Sequence, residues 1–324
     1  MDALSQILDD FHLSRAQYVY LRTLGDWHLH CDPSGISVFY IVIMGRAWLR
    51  SSAQDKKSPH HPDEATLLST GDMIMLPSGQ PHQLYSAEHP ERSLQTPAHE
   101  LIDEFQGHRR DSIAIHEGRP NALILAVRCL LDADMARPLM SALPPLLHIQ
   151  NTLQSAGPDW LQIGLQFLSL EAEKERPGRD TLINRLVSML FIECIRDLVE
   201  NQSDESTSWI KALKDNQLAP VLSALHASPE YPWTVNGMAA LACQSRSAFA
   251  DRFTQIMGVP PLNYLSTHRL RLAAWYLRQN ELSVSRVSER VGYGSETAFS
   301  QAFKRLYNLS PSQYRKQQNS SQTG

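Results

Sequence analysis

Glu296, Thr297, Ser300, Gln301 and Lys304 fall on one side of the run ETAFSQAFKR when it is wound as a helix, and none of them is apolar. Their functional groups match what base pairs and their backbone offer. Gln pairs bidentately with adenine, Glu accepts from cytosine N4, the Thr methyl meets a thymine methyl, and Lys holds phosphate. A second run, RSAFADRFTQ, sets Arg246, Ser247, Ala250 and Asp251 at the same spacing, with Gln255 one turn further on. On the opposite side of the first run, Ala298, Phe299, Ala302, Phe303 and Leu306 form the stripe expected to face inward. A helix that only had to be soluble would more often carry Lys and Glu outside. This pair of faces suits a groove.

The elements that must hold these residues are duplicated. At an offset of 50 residues Thr234 meets Val284, Leu241 meets Val291, Ser245 meets Ser295, and Ala248 meets Ala298. The match continues with Phe249 and Phe299, Phe253 and Phe303, Pro261 and Pro311, Tyr264 and Tyr314. Each copy reads as a short helix, a brief turn and a second helix opened by a serine suited to N-capping. In the second copy Val284, Val287 and Val291 line the first helix, and Gly292 stands where a left-handed residue is wanted. Residues 262–279 join the copies as one helix of about 27 Å at 1.5 Å per residue. Successive major-groove faces are about 34 Å apart, so a rigid rod of this kind can serve both. Arg269, Arg271 and Arg278 on the rod are candidates for phosphate contact.

Charge divides the chain in the same way. Residues 217–318 hold 11 Lys and Arg against 5 Asp and Glu, whereas the remainder holds 19 against 29, which together give the net -4. Only the C-terminal part is suited to a polyanion.

This closing region, from WTVNGMAALACQSRSAFADRFTQIMGVPPLNYL to VSERVGYGSETAFSQAFKRLYNLSPSQYR, resembles the AraC/XylS family of bacterial transcription regulators. The resemblance implies an all-α domain over 217–318 with two helix-turn-helix motifs, acting on double-stranded promoter DNA as an activator or a repressor, with RNA polymerase as a further partner. It implies no enzyme. It places Ser247, Ala250 and Asp251 at reading positions of one helix and Glu296, Thr297, Ser300 and Gln301 at those of the other. Members of this type commonly carry Arg where Asp251 and Gln301 stand, so base preference departs from theirs.

The N-terminal part has a different texture. Over 27–131 β-branched and aromatic clusters such as SVFYIVIMG and ALILAVRCLL alternate with Gly, Pro, His and Ser, as short strands of a barrel or sandwich do. Within it, GDMIMLPSGQPHQLY is similar to the second motif of the cupin barrel, implying a cupin-like sensor domain over 1–131. Trp27, Tyr40, Trp48 and His82 are its candidate ligand-binding residues, around a small organic effector. His28 and His30 share a strand face and with His82 would make three nitrogen ligands. The favoured reading is a barrel of satisfied histidines and aromatics with no metal or other cofactor. A cupin metal-dependent oxygenase or isomerase with a helical appendage is the alternative.

Between these parts, 132–208 reads as a helical hairpin and linker. Residues 160–174 form its first arm, Pro177-Gly178 its break, and Leu182, Ile183, Leu186, Val187, Leu190, Phe191, Cys194, Ile195 and Leu198 an apolar face on its second. That face either packs inside or makes a homodimer. Leu4, Ile7, Leu8 and Phe11 suggest a short N-terminal helix, and the polar stretches 51–65, 86–118 and 200–208 suggest loops and a linker. The fold class is therefore α+β: a cupin-like β-barrel, a helical hairpin and a C-terminal all-α domain with two helix-turn-helix motifs. Four separated cysteines support neither disulfide framework nor zinc module. An acidic start and a longest apolar run of only 38–44 point to the cytoplasm and to no membrane partner.

Overall fold

The computed structural model describes residues 3–10, 15–51, 65–86, 95–97, 112–115, 120–150, 159–173, 176–201 and 208–322. They form two compact units drawn from interleaved segments. One holds residues 13–130 and 143–201; the other holds 1–12, 131–142 and 202–324.

The first unit is built on ten strands: β1 (Arg15–Leu24), β2 (His28–Cys31), β3 (Ser37–Ser51), β4 (Thr66–Ser69), β5 (Met73–Leu76), β6 (His82–Tyr85), β7 (Gln95–Pro97), β8 (Ser112–Ile115), β9 (Pro120–Leu130) and β10 (Leu147–Ile149). The hydrogen-bonded order is β7-β2-β6-β3-β9-β1-β8, with β4 and β5 also on β3 and β10 on β5. The barrel expected from the sequence is corrected here: among the described residues this path does not close on itself.

The long β3 makes the sheet bend. Its first half pairs with β9 and β5, and its second half pairs with β4 and β6. The change of partner falls at a bulge between Val42 and Met44 followed by Gly45 at φ 85°. A Cβ at Gly45 would lie 1.9 Å from the Asn121 carbonyl oxygen, so only glycine fits there.

Alternation along the strands gives the sheet an inner apolar cluster that includes Trp27, Leu29, Tyr40, Val42, Leu49, Leu84 and Ile124. A helical hairpin packs on the other face. It consists of α3 (Asp159–Glu173) and α4 (Arg179–Asn201), broken at Gly178 with φ 84°. Phe191 meets Phe39 edge-on at 6.0 Å, and the Tyr20 hydroxyl donates to the Leu168 carbonyl at 2.8 Å. Ile183, Val187, Leu190, Phe191, Cys194, Ile195 and Leu198 are buried, as the spacing predicts, but Leu182 is 47% exposed.

The second unit is helical: α1 (Ala3–Asp10), α2 (Ala133–Ala142), α5 (Ser208–Lys214), α6 (Leu218–Ala227), α7 (Val235–Leu241), α8 (Arg246–Met257), α9 (Pro261–Gln279), α10 (Val284–Arg290), α11 (Glu296–Tyr307) and α12 (Pro311–Gln322). α1 packs on α6, and α2 packs on α5 and α9. The sequence reading found α1 but overlooked both β1, whose register runs the length of β9, and α2, whose helical pattern is interrupted by Pro138. The expected loops 51–65 and 86–118 and the linker 200–208 lie largely outside the described residues, although β7 and β8 fall within the second.

Candidate nucleic-acid interface

The duplication seen in the sequence is a duplication of geometry. Ser245 accepts from the Ala248 amide at 3.3 Å and Ser295 from the Ala298 amide at 3.2 Å, so both second helices start on a serine cap. Both end on a left-handed residue, Gly258 at φ 73° and Asn308 at φ 59°. Phe249 and Phe253 sit 5.6 Å apart at 55°, and Phe299 and Phe303 sit 5.6 Å apart at 56°. The following tyrosine closes each corner edge-on, Tyr264 on Phe253 at 5.7 Å and Tyr314 on Phe303 at 5.4 Å. All four phenylalanines are fully buried.

One part of the repeat differs from the sequence alignment. The caps of the first helices are Thr234 and Ser283, 49 residues apart rather than 50. Their turn bonds keep that offset, from the Gln244 amide to the Ala239 carbonyl and from the Tyr293 amide to the Ser288 carbonyl, at 2.9 and 3.0 Å. The second turn is therefore longer by one residue. Each turn pivots on a left-handed residue, Cys243 at φ 53° in the first and Gly292 at φ 81° in the second.

With both anchoring phenylalanines inside, the polar faces turn outward. Arg246, Ser247 and Asp251 of α8 are exposed, as are Glu296, Thr297, Gln301 and Lys304 of α11, while Ala250 and Ser300 are half-buried at equivalent positions. Gln255 is exposed too. The inner stripe is narrower than the sequence suggested. Ala298 is exposed and Leu306 is 43% exposed, because Tyr307, stacked on Phe303 at 4.5 Å, takes the inward place one turn later. Arg305, exposed on α11, was missed by a reading that stopped at Lys304.

The connecting rod α9 has 19 residues, about 28 Å at helical rise. Its arginines are not a free phosphate-binding row. Arg269 donates from Nε to the Pro229 carbonyl at 2.6 Å and from Nη2 to the Tyr231 carbonyl at 2.8 Å, holding the loop before α7. Arg278 is paired with Asp132 and Asp134. Burial lowers the pKa of Arg271, which is half-covered. A further tie, from Arg252 to Asp215 at 2.5 Å, anchors α8 to the start of α6. Burial works against the Asp215 charge, but hydrogen bonds from Arg252 and from the Gln217 and Leu218 amides hold its carboxyl below the usual range.

In the sheet unit the residues named as ligand-binding separate. Trp27 and Tyr40 share the inner cluster, and the Tyr40 hydroxyl meets His82 Nε2 at 2.7 Å. His82 Nδ1 faces the Gln80 carbonyl at 2.7 Å, so Nδ1 carries the proton and Nε2 accepts from Tyr40. The Cys31 sulfur lies 3.5 Å from the same hydroxyl. Trp48 alternates with the buried Ala47 and Leu49 and stands on the opposite face, opposite Tyr85 in register. The register also divides the histidines. His82 pairs with Cys31, whereas His28 and His30 pair with Tyr85 and Gln83 on the other face. The three nitrogens do not converge, and among the described residues no group of three His, Cys, Asp or Glu is placed to hold a metal ion. Nor, among them, is any helix long and apolar enough to cross a membrane.

Two family profiles match this chain, Cupin over residues 2–200 and Helix-turn-helix domain over residues 238–317. It is 40% identical to the HTH-type transcriptional regulator AlkR of Acinetobacter baylyi over 98% of this chain and 100% of that protein. It is 30% identical to an uncharacterized HTH-type transcriptional regulator of Haemophilus influenzae over 90% of this chain and 91% of the relative. Among solved structures, the DNA-binding domain of AdpA in complex with a target DNA is 33% identical, with 33% of this chain and 96% of that domain covered and a TM-score of 0.32.

Proposed function

Because this chain belongs to the AraC/XylS family of helix-turn-helix transcription regulators, with a cupin-type N-terminal region, we propose that the exposed faces of α8 and α11 read two parts of one promoter site. The observation that carries this is the repeated anchor geometry. Two buried phenylalanines hold each second helix so that its polar side faces water. In a major groove Gln301, Glu296 and Thr297 would take base edges, and Lys304 with Arg246 would take phosphates. Footprinting of the full chain on its own promoter region tests this, with two protected segments about one helical turn apart as the expected result. A single protected segment would contradict it.

The sheet unit is the place for an effector. Tyr40, His82 and Cys31 form a short polar chain among apolar neighbours, which supports a small organic ligand held by a few hydrogen bonds. A homodimer is supported by the α3–α4 hairpin. Ile163 and Leu170 on one helix are 65% and 61% exposed, and Leu182 and Met189 on the other 47% and 46%, each pair seven residues apart. We further propose RNA polymerase as a partner at the promoter. Sedimentation of an Ile163→Glu, Leu170→Glu variant should show a lighter species than the parent chain; identical profiles would remove the hairpin from the interface.

A further inference from the structure

The two copies are closed behind their reading helices by different chemistry. In the first, the Tyr264 hydroxyl meets His226 Nε2 of the preceding helix α6 at 2.8 Å. In the second, the equivalent Tyr314 meets Arg278 of the preceding helix α9. A neutral partner needs no counter-charge, but a largely covered guanidinium does. The duplicated region does not supply it.

The counter-charge comes from α2, far upstream in the chain. Arg278 Nη2 is paired with Asp132 Oδ2, and Nη1 donates to Asp134 Oδ2 at 3.0 Å. The Tyr314 hydroxyl donates to the same Asp134 oxygen at 3.3 Å. Asp132 also caps α2, its Oδ1 accepting from the Asp134 and Met135 amides at 3.1 and 3.0 Å. Side-chain exposure in the cluster is only 17% for Arg278, 13% for Asp132 and 18% for Asp134. Beside it Met135, 4% exposed, lies in the apolar cluster that contains Phe299 and Phe303, the anchors of α11. Arg278 stands in the last turn of α9 and Tyr314 in the first turn of α12, so the cluster ties together the helices on either side of the second motif.

We propose that Asp132 and Asp134 are positioning residues for the second reading helix. Docked, α2 neutralises Arg278 and fixes α9 to α12, which holds α11 at its working angle. Without the two carboxylates Arg278 keeps only the Tyr314 hydroxyl and the tie between α9 and α12 loosens, while the Tyr264–His226 pair of the first copy, which does not involve them, is kept. The effect on base reading rests on the assignment of α11 to DNA; the effect on motif order does not.

The full chain with Asp132→Asn and Asp134→Asn tests this by hydrogen exchange without DNA and by footprinting with it. Amides of α10 to α12 should exchange about tenfold faster or more, with α6 to α8 unchanged. Base changes under α11 should then cease to matter while those under α8 keep their effect. Adding Arg278→Met removes the stranded charge and should restore both readouts, since an apolar replacement of a buried ion pair is tolerated. If the double variant does not fold, Asp134→Asn alone is measured in the same way. Unchanged exchange, loss spread equally over both motifs, or no rescue by Arg278→Met would overturn the proposal. Failure of footprinting alone would instead count against DNA reading by α11.

Discussion

Cys243 and Gly292 perform the same backbone turn with different means. Both have positive φ, 53° and 81°, but an L side chain in that region costs about 1–2 kcal/mol that glycine avoids. Gly292 has no room for a side chain, since a Cβ would lie 2.6 Å from Glu230 Cα and 2.9 Å from an Arg269 nitrogen. Gly292→Ala should therefore lower stability by about 2 kcal/mol or more. Cys243 is exposed, so Cys243→Gly should change nothing around it and raise stability by about 1 kcal/mol. Urea unfolding of the two variants checks this, and equal destabilisation by both would mean that the turns are not equivalent. In the sheet unit, Tyr40→Phe removes the donor to His82 Nε2 and should cost about 1–3 kcal/mol for the buried acceptor left behind. The outward positions of α8 and α11 were legible at this scale because a residue type and a helical period fix them. The Arg269 and Arg278 partners were not, because an arginine's partners depend on which distant carbonyls and carboxylates the fold brings near.

At the scale of elements, one helix presents two separable faces. Phe303 is fully buried between Phe299, Tyr307 and Tyr314, and Phe303→Ala should cost about 3–5 kcal/mol of stability. Gln301 and Thr297 are exposed on the opposite side. Their alanine variants should leave thermal unfolding unchanged and relax discrimination at single base positions by about 1–3 kcal/mol. Loss of folding in all three would show that the polar face is not free. Helix periodicity identified α1, α3, α4 and the reader helices in advance. It missed α2, where Pro138 interrupts a short pattern, and it credited Ala298 and Leu306 to the inner stripe because two helical turns can be wound with either Leu306 or Tyr307 inward until a neighbour chooses. β1 was overlooked although its YVYL core is an aromatic and β-branched run of the kind that marks a strand; its pairing with β9 along its whole length is what the fold adds.

The whole molecule should be sensitive to acid in both units. Burial lowers the His82 pKa in the sheet unit and pushes that of His226 down to about 3 in the helical unit. The unfolded chain binds a proton at each near pH 6.5 while the folded chain does not. Stability is therefore full at neutral pH and falls as the pH drops below about 6.5, and for His226 the fall continues toward about 3. His226→Gln should flatten the decline for the helical unit, as measured by denaturant unfolding across this range. A decline of the same slope would assign it to other groups. The logarithm of DNA affinity should fall linearly with the logarithm of salt concentration, since the basic surplus lies in residues 217–318.

The amino-acid order alone determined that this protein is an α+β chain ending in a duplicated helix-turn-helix unit, because periodicity, capping residues and an internal repeat are local properties that need no partner to be visible. It also marked a strand-rich region with a cupin-like turn. The tertiary structure decided what the repeat could not: that the sheet does not close among the described residues, that His82 faces away from His28 and His30, and that the second motif is completed by α2. Each of these depends on strand register or on a contact between residues far apart in the chain. Such contacts are selected by what close packing and charge compensation leave as the lowest free energy, and no window along the sequence contains both partners.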